Sequence, residues 1–284
     1  MTYTTLISAN ELLHRLGDPD WQIFDVRHDL FDPEAGIRAY RAGHIPGAQF
    51  AGIDTDLSGA KTGTNGRHPL PPRAALIARL RAWGVNNTTQ LVAYDAQGGQ
   101  FAARLWWLAR WVGHSAVAVL DGGWPAWLAV GGAVETELPK PQHGSFTDTA
   151  PRVPLAGAQE VLNTLVDRDR LVLDARLPER YRGEQEPIDP VAGHIPGALN
   201  RPWTQNLTAE QRFKSPEQLR QEFEALLATH SPEAIVHQCG SGVTACHSVL
   251  AMEVAGLTGS ALYAGSWSEW IADPSRPVRT GAEP

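Results

Sequence analysis

Short apolar runs alternate along the chain with longer segments whose apolar residues recur at helical spacing. Runs such as 91–94 and 234–237 have the length of buried strands, while 73–83 and 216–229 carry helical periodicity. Strands that alternate with helical segments are typical of parallel sheets, because the chain must cross a sheet face before it adds the next parallel strand. The pattern therefore predicts an α/β fold in which helices flank parallel sheets.

The same order of signals occurs twice. In each half, an Asp-x-Arg sequence at the end of an apolar run is followed by Gly-His-Ile-Pro-Gly-Ala; the matching segments are 25–27 with 43–48 and 174–176 with 193–198. Self-similarity of this length indicates two homologous units joined in tandem. Since these blocks recur in both halves, we expect their Asp, Arg and His residues to be structural.

The domain limits follow from a segment without periodicity. Residues 139–153 are rich in proline and polar residues and read as a linker. We therefore predict an N-terminal domain over 1–138, a linker over 139–153 and a C-terminal domain over 154–284.

Composition narrows the classes of partner. Hydrophobic residues make up 43% and charged residues 19% of the 284 positions, as in a folded globular protein. A formal net charge of -7 supplies no basic field for nucleic acid or anionic lipid. No apolar run approaches the roughly 18 residues of a membrane span, and the first ten residues lack the regions of a signal peptide. We expect a cytoplasmic protein that binds neither nucleic acid nor membrane.

One loop carries the features of a nucleophilic site. Cys239 follows the apolar run 234–237 and precedes a helical pattern that begins near Val243. Loop N–H groups and the positive end of a helix dipole favour a thiolate over a thiol. The corresponding position of the first half is Asp95, so only the second half can perform thiol chemistry.

These motifs resemble the tandem-domain rhodanese family, which comprises thiosulfate sulfurtransferases and 3-mercaptopyruvate sulfurtransferases. The resemblance runs through nearly the whole chain and is most specific in the paired blocks and in the Cys-Gly-Ser-Gly-Val-Thr-Ala loop. It implies two rhodanese-like domains, the first of which lacks the catalytic cysteine. It also implies a Cys239 persulfide held by loop residues Gly240, Gly242, Val243 and Thr244, with no metal or organic cofactor. The expected partners are a small sulfur donor and a thiol, cyanide or reduced dithiol protein as acceptor.

The loop resembles the mercaptopyruvate type more than the thiosulfate type. The thiosulfate type places two cationic residues after the cysteine, where this chain has Gly240 and Ser241. In the mercaptopyruvate branch a loop serine works with a histidine and an aspartate, and the matching residues are Ser241, His68 and Asp54. The resemblance therefore implies 3-mercaptopyruvate as the donor, with thiosulfate as the alternative.

The resemblance also implies arginines that bind the donor's carboxylate. Arg180 matches the first of these, whereas the second, expected after a Glu-Pro pair, is replaced by Ile188. Arg182 or Arg67 could supply the missing charge, and the sequence leaves both open.

Three alternatives to sulfur transfer require other features of the sequence. A cysteine phosphatase loop needs an arginine six residues after the cysteine, where this chain has Ala245. A zinc site built on Cys239, Cys246 and His247 has the wrong ligand spacing. A non-catalytic sulfur carrier or binding module stays open, although Ser241 with His68 and Asp54 favours turnover.

Overall fold

The computed structural model describes residues 2–284, and the chain divides into two compact units. The first unit comprises the chain up to Gly59, Pro71–Arg152 and Ala209–Phe213, and the second comprises Ala60–Leu70, Val153–Thr208 and Lys214–Pro284. The loop 60–70 therefore belongs with the second unit although it lies early in the sequence.

The first unit contains a five-stranded parallel sheet. Its strands are β1 (Leu6–Ile7), β2 (Trp21–Asp25), β3 (Gln49–Phe50), β4 (Gln90–Tyr94) and β5 (Val117–Leu120), in the order β1-β5-β4-β2-β3. Its helices are α1 (Ala9–Leu13), α2 (Ala35–Ala42), α3 (Arg73–Ala82), α4 (Ala102–Trp111) and α5 (Gly123–Ala129). The central strand β4 is buried throughout, as a strand covered on both faces must be.

The second unit repeats this topology. Its strands are β6 (Leu155–Ala156), β7 (Leu171–Asp174), β8 (Leu199–Asn200), β9 (Ile235–Gln238) and β10 (Ala261–Tyr263), in the order β6-β10-β9-β7-β8. Its helices are α6 (Ala158–Asp167), α7 (Pro178–Tyr181), α8 (Pro216–Leu227), α9 (Ala245–Val254) and α10 (Ser266–Trp270), with 3₁₀ turns at Trp203–Asn206 and Pro232–Ala234. All pairings are parallel. The predicted fold, two α/β units with parallel sheets flanked by helices, is confirmed.

The repeated Asp, Arg and His residues form the same buried scaffold in both units. In the second unit the Arg176 guanidinium pairs with Asp174 and donates to the Gly193 carbonyl at 2.7 Å. The His194 ring stacks on Tyr181 with 3.8 Å between ring centroids. Arg27, Asp25 and His44 make the matching contacts in the first unit. These residues join the end of a central strand to the following loop, which agrees with the structural role expected of them.

Helix α9 has no polar face. Its residues from Ala245 to Met252 are all buried, because the helix is covered by sheet and neighbouring helices alike. It packs against β9, β10, α8 and the Trp203–Asn206 turn. This packing holds α9 in place, so the N-terminal end of the helix has a fixed position next to the loop that precedes it. Within residues 2–284 no helix combines the length and the hydropathy that crossing a membrane requires.

Candidate active site

The candidate nucleophile lies at the carboxyl end of the central strand of the second unit. Strand β9 ends at Gln238, Cys239 follows, and α9 begins at Ala245. The backbone of Cys239 is fixed on both sides: its N–H donates to Ser266 Oγ at 3.1 Å, and its carbonyl accepts from Trp267 N at 3.0 Å. Cys239 is only 3% exposed. The sheet and the start of α10 thus hold the sulfur at a defined position in the loop.

A backbone amide of the loop faces the Cys239 sulfur. The Gly242 N–H donates to Cys239 Sγ at 3.2 Å. Gly242 has φ +75°, and a Cβ there would lie 2.0 Å from the Ala264 carbonyl oxygen. Only glycine can therefore present its amide at this point without moving the backbone. An amide so placed stabilises negative charge on sulfur, whether that of a thiolate or that of a persulfide.

Two guanidinium groups lie against Gly240, the residue after the nucleophile. A Cβ on Gly240 would be 2.8 Å from Arg67 Nη2 and 3.4 Å from Arg180 Nη1. The absence of a side chain at Gly240 is what lets both arginines approach the loop. The positive charge that the loop sequence lacks is thus supplied from two other segments of the same unit.

Two buried carboxylates hold these arginines. The Asp189 carboxylate pairs with Arg67 Nη1 through one oxygen and with Arg180 Nη2, at 3.1 Å, through the other. Glu186 accepts from Nε and Nη2 of Arg180 at 2.7 to 3.1 Å. Both acidic side chains are 3% exposed. Burial lowers the pKa of the Arg67 guanidinium, and the Arg180 charge adds to this, whereas Cys239 and Glu186 oppose it.

The loop 66–68 is docked on the start of α10. Arg67 N–H donates to Ser268 Oγ at 3.0 Å, and a Cβ on Gly66 would lie 2.8 Å from the Gly265 carbonyl oxygen. Since Gly66 has φ +82°, glycine suits both the turn and the close approach. This docking sets where Arg67 and His68 reach the site.

Ser241 and His68 form a buried hydrogen-bonded pair. Ser241 Oγ lies 2.7 Å from His68 Nδ1, and the two residues are 5% and 6% exposed. When Nδ1 carries no proton it accepts from the hydroxyl, which leaves the serine oxygen richer in electrons. A pair of this kind can orient a hydroxyl toward a carbonyl or pass a proton to it.

Four further residues were predicted for the site: Asp54, Arg182, Val243 and Thr244. Arg182 follows α7, where its guanidinium pairs with Glu184 at 2.7 Å on the surface. Asp54 is exposed and belongs to the first unit, and its role stays a prediction. Val243 is buried, and Thr244 immediately precedes α9.

The first unit fills the equivalent loop with its own carboxylate. Asp95 follows β4 and accepts hydrogen bonds from the backbone N–H groups of Gln97, Gly99, Phe101 and Ala102 at 2.7 to 3.0 Å. Burial raises the pKa of the Asp95 carboxyl, and the four amides oppose that rise. A loop whose amides already hold an internal anion has none left for a substrate.

Asp189 and Glu186 are contributors that the sequence reasoning missed. The available signal was two acidic residues within nine positions of Arg180, in a segment where an arginine was being sought. Ser266 and Ser268, which fix the backbones of Cys239 and Arg67, gave no comparable signal because isolated serines are common in turns.

Comparison with known proteins finds one family in both units. The Rhodanese-like domain family matches residues 8–130 and 157–273. A probable 3-mercaptopyruvate sulfurtransferase of Pseudomonas aeruginosa is 47% identical over 99% of this chain and 100% of its own length. A putative thiosulfate sulfurtransferase of Mycobacterium tuberculosis is 40% identical over 97% of this chain and 97% of its own. Among solved structures, SseA from Escherichia coli, described as a 3-mercaptopyruvate sulfotransferase, has a TM-score of 0.80 and 30% identity, over 93% of this chain and 99% of that one.

Proposed function

Because this chain belongs to the rhodanese family and is a sulfurtransferase, we propose that it moves sulfur from 3-mercaptopyruvate to a thiol or cyanide through a persulfide on Cys239. The observation that carries the proposal is the grouping of three features around one loop. A cysteine sulfur accepts from a loop amide, two guanidinium groups lie against the next residue, and a buried Ser-His pair follows.

The first half-reaction forms the persulfide. The Cys239 thiolate attacks the sulfur of the donor, a new S–S bond forms, and the carbon–sulfur bond of the donor breaks. The electron pair of that bond moves onto the three-carbon fragment, which leaves as the enolate of pyruvate and takes up a proton. The outer sulfur, with its own proton or charge, stays on Cys239. The Gly242 amide stabilises the sulfur charge before and after this step.

The Ser-His pair is suited to stabilise the enolate as it forms. As the carbon–sulfur bond breaks, negative charge collects on the former ketone oxygen of the donor. A hydroxyl at that oxygen lowers the barrier by donating a hydrogen bond or a proton, and Ser241 backed by His68 is suited to this. Arg67 and Arg180 would meanwhile hold the donor's carboxylate, since guanidinium groups bind carboxylates well.

The second half-reaction returns the enzyme to its starting state. A thiolate or cyanide attacks the outer sulfur of the persulfide, the S–S bond breaks, and its electron pair returns to Cys239 as the thiolate. The acceptor leaves as a persulfide or as thiocyanate. Because Cys239 must stay reduced between cycles, we also propose that the chain works in the reducing cytoplasm.

Thiosulfate is the second candidate donor, and a relative with that name is 40% identical. The loop argues for mercaptopyruvate, because Gly240 and Ser241 place no cation directly after the nucleophile. Thiosulfate also leaves as sulfite, which has no ketone oxygen for Ser241 to serve. A non-catalytic sulfur carrier would need neither the Ser-His pair nor the arginines.

Steady-state kinetics with both donors tests the proposal. The wild-type chain is expected to show a higher kcat/KM for 3-mercaptopyruvate than for thiosulfate, with pyruvate released at every turnover. A higher kcat/KM for thiosulfate would show that thiosulfate is the preferred donor. Release of one pyruvate per protein molecule without further turnover would indicate a sulfur carrier.

A further inference from the structure

Asp189 and Gly240 lie against the same two guanidinium groups. Asp189 takes Nη1 of Arg67 and Nη2 of Arg180. A Cβ built on Gly240 would lie 2.8 Å from Nη2 of Arg67 and 3.4 and 3.5 Å from Nη1 and Nη2 of Arg180. One carboxylate therefore holds both guanidinium groups, and each of them also faces the residue beside the nucleophile.

Asp189 acts from beneath this pair and not from within the site. Its side chain is 3% exposed, while that of Arg67 is 26% exposed and that of Arg180 is 14% exposed. Two guanidinium groups brought together repel each other unless an anion separates them. Ile188 and Asp189 both donate backbone N–H bonds at 3.1 Å to Glu186 Oε1, which fixes the turn that carries Asp189.

The charges of this cluster cancel formally. Arg67, Arg180 and Arg176, which lies 3.5 Å from Glu186, contribute three positive charges, and Asp189, Glu186 and Asp174 contribute three negative ones. The Coulomb energy between Asp189 and a bound donor is proportional to the charge of the donor. The repulsion energy is therefore twice as large for a donor with two negative charges as for a donor with one. 3-Mercaptopyruvate with its thiol protonated is a monoanion, and thiosulfate is a dianion.

We propose that Asp189 is a positioning residue that directs Arg67 and Arg180 at the donor's anionic group and that its charge favours monoanionic over dianionic donors. The inference rests on the proposed function. It also explains how a site whose loop lacks cations can use two arginines without becoming a general site for dianions.

Donor kinetics of Asp189→Asn and Asp189→Glu test the inference. The Asn variant keeps the shape of the side chain and loses its charge, so the ratio of kcat/KM for thiosulfate to that for 3-mercaptopyruvate should rise about tenfold. The Glu variant keeps the charge and should leave this ratio within about twofold of wild type, even if both rates fall. Glu184→Gln, which removes the exposed partner of Arg182, is the matched control and should leave the ratio unchanged.

A second variant covers the case in which Asp189→Asn does not fold. Arg67→Gln removes a positive charge from the same cluster and should move the ratio in the opposite direction. Equal changes for both donors in Asp189→Asn, or a shift toward mercaptopyruvate, would overturn the inference. The inference would also be overturned if Asp189→Glu changed the donor ratio as much as Asp189→Asn does, because the effect would then come from the shape of the side chain and not from its charge.

Inhibition separates this inference from the donor assignment. Sulfate is a dianion and pyruvate is a monoanion, and neither donates sulfur. In Asp189→Asn the inhibition constant of sulfate should fall about tenfold relative to that of pyruvate, because sulfate binds more tightly once the charge of Asp189 is removed. If the wild type prefers thiosulfate, the proposed donor is wrong, yet this inhibition ratio still decides the role of Asp189. An unchanged inhibition ratio would reject that role whichever donor is preferred.

Discussion

Ser241 Oγ and His68 Nδ1 lie 2.7 Å apart although 173 positions separate them in the sequence. Both residues are buried within the second unit, since the loop 60–70 is part of that unit. A hydroxyl and an imidazole held in this way act as one group, so replacing either should disturb the same step.

Ser241→Ala should therefore reduce 3-mercaptopyruvate turnover by roughly 10²-fold and thiosulfate turnover much less, because only the first donor leaves as an enolate. His68→Ala should show the same preference, and the double variant should lose little more than either single one. Steady-state kcat/KM for both donors measures this.

Ser260→Ala is the matched control for Ser241→Ala. Ser260 is also a buried serine of the second unit, but it precedes β10. It therefore lies at the amino-terminal ends of the parallel strands, whereas Cys239 lies at their carboxyl ends. It should leave the donor ratio unaltered. Equal losses for both donors in Ser241→Ala would show that the hydroxyl does not serve the ketone.

Cys239→Ser should abolish sulfur transfer from either donor, because a hydroxyl cannot form the persulfide. Cys246→Ser is the control: Cys246 is a buried thiol on α9 that donates to the Gly242 carbonyl at 3.3 Å, a bond that serine can also make. Mass spectrometry after one donor addition should find the mass of one added sulfur atom on Cys239 in wild type and in the Cys246 variant. A persulfide that survives in Cys239→Ser would move the nucleophile elsewhere.

The duplicated sequence made the fold predictable. The repeated blocks mark the ends of equivalent strands, and their hydrogen bonds are the same in both units, so periodicity and repetition pointed to one architecture. The placement of Cys239 in a loop between a strand and a helix was equally predictable, because β9 and α9 are adjacent in sequence.

The position of the arginines that we assign to anion binding could not be predicted from the sequence in the same way. The position of Arg67 depends on the docking of Gly66 against Gly265, a long-range contact without a signature in the sequence. Arg182 was a reasonable candidate by its distance from Arg180 along the chain, yet it pairs with Glu184 at the surface. Asp189 was overlooked because an arginine was expected in that segment, at the position that Ile188 occupies.

Two glycines of the loop should respond differently to alanine. Gly242→Ala forces a side chain into φ +75° and to within 2.0 Å of the Ala264 carbonyl oxygen, so it should destabilise the fold by about 3 kcal/mol. Gly240→Ala meets side-chain ends and no backbone: the Cβ would lie 2.8 Å from Nη2 of Arg67 and 3.4 Å from Nη1 of Arg180. It should preserve stability and raise the KM of anionic donors several-fold, because the guanidinium must move.

Gly197→Ala separates backbone strain from crowding in this comparison. Gly197 has φ +79° in the same unit, and no atom lies within 4 Å of a Cβ built there. Its replacement should destabilise the fold by about 1 kcal/mol, the effect of the left-handed conformation alone. Urea unfolding of the three variants gives the free energies, and equal losses for Gly242→Ala and Gly197→Ala would contradict the crowding argument.

His237 should make the protein sensitive to acid. It lies on β9, fully buried, with Nε2 at 3.1 Å from Met252 Sδ, and burial together with the Arg201 charge lowers its pKa from 6.5 to about 3. Between those two values the unfolded chain binds a proton that the folded chain does not, so stability falls as the pH falls through this window. The contribution has a limiting slope of about 1.4 kcal/mol per pH unit.

His237→Gln removes this titration and should flatten the dependence of unfolding free energy on pH between about pH 6 and pH 4 relative to wild type. The replacement keeps a polar side chain of similar length, so absolute stability at neutral pH can change without affecting the slope. His14→Gln, at an exposed position, is the control and should leave the slope as in wild type. Urea unfolding at a series of pH values measures both, and parallel curves for wild type and His237→Gln would show that the buried imidazole does not contribute to acid sensitivity.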